Sequence, residues 1–138
     1  MRIFLDANIL VSILNKEYPL FTYSARVLSL ADNKQYEIYT SPICLAIAFY
    51  FSEKKSGRTI AKNKINLLVS KIKIAEADHT VVINALHDKA VGDFEDGLEY
   101  YAAQKAKCKY IITEDINDFH FSKLPVLNAR QFLEENIL

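Results

Sequence analysis

The chain has 138 residues, 51% of them hydrophobic, and its 17 basic and 17 acidic side chains cancel to a formal net charge of zero. That length suits a full core in one domain, so residues 1–138 are read as a single domain. Zero net charge excludes the global footprint of a strongly basic nucleic-acid binder. The longest apolar patch, Ile43 to Phe51, is about half of the roughly 20 residues a membrane-crossing helix needs.

Arg2 to Leu5 is a short apolar run without polar alternation, the pattern of a strand covered on both faces, and Asp6 sits where it ends. Asp6 and Asn8 interrupt the run, so no signal peptide is expected. Asn8 is the expected cap of a helix from Ile9 to about Asn15, and Pro19 precedes a second helical segment, Phe21 to Ala31. Glu37 to Thr40 reads as the next strand. Ser41 then offers an N-cap and Pro42 a first helical residue, opening a third helix that carries Leu45, Ile47, Phe49 and Tyr50.

Ser56-Gly57 breaks the chain before a basic amphipathic helix, Ile60 to Ser70, which leads into a short strand, Ile72 to Ile74. Asp78 and Thr80 are cap candidates for a helix from Val81 to about Lys89. Charge is uneven here. From Glu53 to Lys73 there are seven bases and one acid; from Glu76 to Glu99 there are seven acids and one base. Lys54, Lys55, Arg58, Lys62 and Lys64 are therefore either a solvated helix face or a phosphate-contacting rim beside an acidic site.

Asp93 can cap a helix whose apolar stripe is Phe94, Leu98, Tyr101, Ala102 and Ala106. Lys109 to Thr113 follows as a β-branched and aromatic run typical of a buried strand, with Glu114, Asp115 and Asp118 just past its end. Pro125 to Leu127 reads as a last strand and Ala129 to Ile137 as a terminal helix. Strands alternating with helices over one domain imply an α/β sandwich with a mainly parallel sheet. Cys44 and Cys108 have neither C-x-x-C spacing nor a histidine partner at ligand spacing, and are expected to be reduced, buried thiols in a cytoplasmic protein.

Ligands of open parallel sheets bind outside the carboxyl ends of the strands. Asp6, Asp115 and Asp118 follow strand ends, while Asp93, Glu95 and Asp96 begin a helix that can face the same edge. Each also has an ordinary structural use, as a helix-dipole partner or a turn residue. Convergence is what sets them apart: like charges about 4 Å apart repel by about 4 kcal/mol at an effective dielectric of 20, so the cluster needs protons or a cation. All-oxygen ligation suits Mg²⁺ or Mn²⁺, and metal-assisted hydrolysis of a phosphodiester is the natural reaction class.

At FLDANIL, FEDGLEYYAAQ and YIITEDINDF the chain resembles the PIN-domain nucleases, and among them the VapC-type toxins. The resemblance spans nearly the whole chain. It implies a PIN-like three-layer sandwich with about five mainly parallel strands flanked by helices. It further implies Mg²⁺- or Mn²⁺-dependent RNA cleavage, an RNA substrate, a homodimer and an antitoxin partner. Asp6, Asp96 and Asp115 match the family's first, third and fourth acids, with Asp93 and Asp118 as nearby metal supports. The family's second acid is missing, because the matching position is Ile47; Asp93 or Glu95 would have to substitute, or metal affinity and turnover fall. The competing class is a non-catalytic module on the same fold that binds RNA or an antitoxin. A phosphorelay receiver lacks its central-strand Asp here, and an Asp-nucleophile phosphatase lacks its D-x-D.

Overall fold

In a computed structural model, which describes residues 1–137, the central strand β1 (Arg2–Leu5) carries Ile3, Phe4 and Leu5 with no exposed surface. Both faces of β1 are therefore covered, as its unbroken apolar run predicts. β1 pairs in parallel with β2 (Glu37–Thr40) on one side and β4 (Tyr110–Ile112) on the other. Phe4 lies opposite Tyr39 and Ile111. β3 (Lys73–Ile74) and β5 (Val126–Leu127) complete a parallel five-stranded sheet in the order β3-β2-β1-β4-β5.

Seven α-helices connect and flank these strands among the described residues: α1 (Ala7–Leu14), α2 (Leu20–Ser29), α3 (Pro42–Ser56), α4 (Arg58–Val69), α5 (His79–His87), α6 (Phe94–Lys105) and α7 (Ala129–Asn136). α1 packs against α2 and α3, α3 against α4 and α2 against α7, while α5 packs mainly on α6. The right-handed crossover rule places the first group on one face of the sheet and α5 with α6 on the other, which gives the expected three layers. The chain builds outward from β1 through β2 to β3, then returns to lay β4 on the other flank of β1. The crevice between the carboxyl ends of β1 and β4 is thus the topological switch point, where ligands of open α/β sheets bind.

Local chemistry accounts for most element starts. Ser41 caps α3 through Cys44 N–H at 3.2 Å, Asp78 caps α5 through Val81 N–H at 3.1 Å, and Asp93 caps α6 through Glu95 N–H at 2.9 Å. Asn128 and Gln131 form a reciprocal capping box on α7. One cap differs from expectation: Asp6 caps α1, accepting from Ala7 N–H at 2.6 Å, and Asn8 lies inside the helix. β1–β4 pairing extends to Asp6, whose N–H donates to the Ile112 carbonyl at 3.0 Å, so the strand gives way to the helix two residues before Asn8.

Two further expectations are corrected. Of the expected stripe on α6, Leu98 and Ala102 are buried and Tyr101 and Ala106 pack half-buried against the core, but Phe94 is 44% exposed, and the buried side also takes in Gly97, Glu99, Tyr100 and Ala103. Gly97 lets α5 and Val91 approach closely; a Cβ there would stand 2.7 Å from Val91 Cγ1 and 3.2 Å from Ala85 Cβ. The basic segment is also not a free rim throughout. Lys55 Nζ donates to the Asn15 carbonyl and Lys64 Nζ to the Leu14 carbonyl, both at the end of α1. Arg58 pairs with Glu53, and Lys54 lies over the Tyr50 ring. Cys44 and Cys108 are free and buried, and no described helix is long and apolar enough to cross a membrane.

Candidate functional site

A cleft of about 450 Å³ opens at the switch point and is bordered by eight carboxylates: Asp6, Glu17, Asp93, Glu95, Asp96, Glu99, Asp115 and Asp118. Each predicted site residue, Asp6, Asp93, Asp96, Asp115 and Asp118, lies on it. Val11, Ile47 and Phe51 form the apolar part of its wall. Glu114, by contrast, turns away and accepts from Ala129 N–H at 3.2 Å, at the start of α7.

Asp6 is 7% exposed and held from two sides. Its Oδ1 receives Ala7 N–H, and its Oδ2 receives the Thr113 hydroxyl at 2.8 Å. Thr113, fully buried after β4, ties the two strand ends together: its Oγ1 also accepts from Asp115 N–H at 3.0 Å and from Asn8 Nδ2 at 3.1 Å. The Asn8 amide further reaches Asp115 Oδ2 at 3.1 Å and accepts from Glu114 N–H at 3.2 Å. One threonine and one asparagine thereby orient an acid from β1 and an acid from the β4 loop.

α6 supplies the opposite wall. Asp93 is committed to its cap, while Asp96, in the first turn, has its carboxyl pushed up to about 7 by burial and by the charges of Asp93, Asp6, Asp118 and Glu95. Burial, then Asp93 and Asp6, also raise the Glu95 carboxyl. One turn beyond Asp96, Glu99 is only 1% exposed and accepts from the Cys44 thiol at 2.6 Å. Burial, with a hydrogen bond to Asp6 and the charge of Asp6, pushes Glu99 up to about 11, so in the cation-free protein it holds a proton. Ligand atoms of Asp6, Cys44 and Glu99 all lie within 4.8 Å of one another.

Among the described residues, none of these eight carboxylates has a Lys, Arg or His partner within ion-pair distance. An all-oxygen donor set without a basic counter-charge fits a hard divalent cation. Sequence reasoning missed Glu99, Thr113 and the tying role of Asn8. Its usable signal for Glu99 was the i, i+3 spacing from Asp96, which places both on one side of a helix.

Residues 2–117 match the family model of the PIN domain. The chain belongs to the PIN-domain family. This PIN domain is 26% identical over 137 residues to Ribonuclease VapC1 of Aquifex aeolicus (strain VF5), covering 96% of this chain and 94% of that protein. Its fold matches VapBC2 of Rickettsia felis, solved bound to a DNA fragment from the promoter, with a TM-score of 0.69, 22% identity and coverage of 93% and 98% of the two chains. It also matches VapC20 of Mycobacterium tuberculosis, a sarcin-ricin loop cleaving toxin, with a TM-score of 0.62, 16% identity and coverage of 79% and 86%. The parallel five-stranded sheet flanked by helices is thus the PIN fold, as its three motifs imply.

Proposed function

We propose that this PIN domain is a metal-dependent ribonuclease, the toxin of a toxin-antitoxin pair that acts in the cytoplasm as a homodimer. The observation that carries the reading is the placement of Asp6, Asp96 and Asp115 on one cleft, without an ion-pair partner among the described residues, at the β1/β4 switch point of a PIN fold. The relatives support it, since Ribonuclease VapC1 aligns over nearly the full length and VapBC2 pairs the same fold with a partner.

Asp6, Asp96 and Asp115 would hold Mg²⁺ or Mn²⁺, with Asp93 and Asp118 at the margin. When bound, such a cation stabilises charge on the scissile phosphate and makes a coordinated water more acidic. The chain's own contribution is positioning. Thr113 fixes the Asp6 carboxylate and the backbone of Asp115, and Asn8 braces the Asp115 side chain. Helix α6 turns Asp96 toward both. Val11, Ile47 and Phe51 give the cleft one apolar flank. Exposed Lys54 and Lys62 remain available for RNA phosphates, whereas Lys55 and Lys64 serve the fold.

Ile47, standing where an acid is expected, favours the second reading: a PIN module that binds RNA or an antitoxin without turnover. Incubating a mixed RNA pool with the protein and Mn²⁺, with and without chelator, separates the two. Chelator-sensitive cleavage that disappears in Asp96→Asn supports the nuclease; Mn²⁺-independent RNA binding without cleavage supports the module.

A further inference from the structure

We propose that Glu99 supplies the second carboxylate of the cation site, delivered by α6 in place of α3, and that the Cys44 thiol holds its side chain in position. The inference rests on the nuclease reading above. α3 presents Ile47 to the cleft, an apolar side chain that cannot ligate. Cys44 lies three residues earlier, one turn back along the same helix, and spans the gap to Glu99 Oε1 at 2.6 Å. The contact between α3 and α6 is thus kept, with the carboxylate at its other end.

Glu99 is 1% exposed, borders the same cleft as Asp6, Asp96 and Asp115, and brings its oxygen within 4.8 Å of Asp6. No basic side chain among the described residues compensates it. A thiol is a weak donor, so the fold alone gains little from a carboxyl there; an apolar residue of similar volume would pack at lower cost. A divalent cation beside Asp6 turns that liability into a ligand. The other candidates for the role are placed worse: Asp93 is exposed and its side chain accepts from Glu95 N–H as the cap of α6, and Glu95 is exposed at the rim.

Calorimetric titration of the purified full chain with Mn²⁺ tests the assignment, with thermal melts of the cation-free proteins alongside. Glu99→Gln keeps the shape, an acceptor for the Cys44 thiol and a donor for Asp6. It should fold like the parent yet bind Mn²⁺ about tenfold or more weakly, at least what loss of an outer-shell partner costs. Glu95→Gln, which removes one charge from the exposed rim of the cleft but not the buried oxygen, should weaken Mn²⁺ binding less than Glu99→Gln does. Loading with Co²⁺ should give no intense thiolate-to-metal absorption band, because Cys44 braces Glu99 and does not ligate. Parent-like Mn²⁺ affinity in Glu99→Gln overturns the inference, as does a strong thiolate band. Should Glu99→Gln not fold, Glu99→Asp, which withdraws the carboxylate by one methylene, carries the test: weakened binding supports the assignment and unchanged binding overturns it. A parent that binds no Mn²⁺ at all sinks the nuclease reading along with this inference, whereas a binding parent matched by Glu99→Gln sinks the inference alone.

Discussion

Replacing Asp96 by Asn should stabilise the cation-free protein at neutral pH, and the structure sets both sign and size. Burial and the surrounding acids lift the Asp96 carboxyl from 3.8 to about 7 in the folded chain. A folded-state value above the unfolded one means that between these two pH values the folded state binds more protons, so stability falls as pH rises from about 4 to about 7 and then levels off. About three units at 1.36 kcal/mol each would amount to about 4 kcal/mol. Solvent reaches part of this half-buried side chain, and screening reduces the expected effect to about 2 kcal/mol. Asn is nearly isosteric and never ionises, so Asp96→Asn should match the parent at pH 4 and exceed it by about 2 kcal/mol at pH 8. In urea that is a midpoint shift of about 1 M. Saturating Mn²⁺ should reverse the order at pH 8, because the parent gains binding free energy that the variant lacks. Urea titrations from pH 4 to pH 8, in chelator and in Mn²⁺, check this. If Asp96→Asn in chelator is less stable than the parent at pH 8, the carboxylate is stabilising its helix, and the repulsive-cluster argument fails.

Thr113→Val should cost about 1–3 kcal/mol, since it strips a buried carboxylate and a backbone N–H of their shared hydroxyl; urea denaturation reads the loss, and RNA cleavage should fall with it as Asp6 and Asp115 lose their common brace. Gly97→Ala should destabilise by about 1–3 kcal/mol through overpacking against Val91, outweighing the roughly 1 kcal/mol by which Ala favours a helix over Gly; a variant melting above the parent would show that α5 can retreat freely. Lys64→Met should lower stability by about 0.5–1 kcal/mol by uncapping α1 while leaving the salt dependence of RNA binding unchanged. Neutralising Lys54 and Lys62 together should instead reduce that dependence by roughly 0.7 per lost phosphate contact.

The strands were the most legible part of the sequence. β1 and β2 lie at their predicted bounds, β1 because a strand buried on both faces writes itself as an apolar run and β2 because Ile38, Tyr39 and Thr40 favour extended backbone just before the Ser41-Pro42 helix start. The Ser41, Asp78 and Asp93 caps were equally readable, since each decides its helix start with a contact two or three residues away. What failed depended on distant partners. Choosing Asp6 over Asn8 as the cap of α1 required knowing how far β1 pairs with β4, more than a hundred positions along the chain. Lys55 and Lys64 resemble a phosphate rim in sequence because their carbonyl acceptors lie 40 and 50 residues upstream. Convergence of the acids on one edge followed from the parallel α/β order, but the burial of Glu99 beside the expected stripe of α6 did not.

Two of the acids on the cleft double as helix caps, which explains how the fold tolerates them before any cation arrives. Asp6 sits at the amino end of α1 and Asp93 at the amino end of α6, where the partial positive charge of each helix favours a carboxylate by about 0.3–1 kcal/mol. The amino ends of α1 and α6 thus supply part of the counter-charge that, among the described residues, no ion pair provides. α3 begins at the same edge, after β2, but its amino end is closed by the Ser41 hydroxyl, and its next turns bring Cys44 and Ile47 toward the cleft. A charge at Ile47 would lie beyond the first turn, outside the reach of that helix dipole, and against Val11 and Phe51. A carboxyl at Glu99 also lies beyond the first turn of its own helix, but Cys44 donates to it, and burial beside Asp6 raises it toward its neutral form. On electrostatic grounds, therefore, α6 can carry an extra acid in the cation-free state and α3 cannot carry one at Ile47 without a new partner.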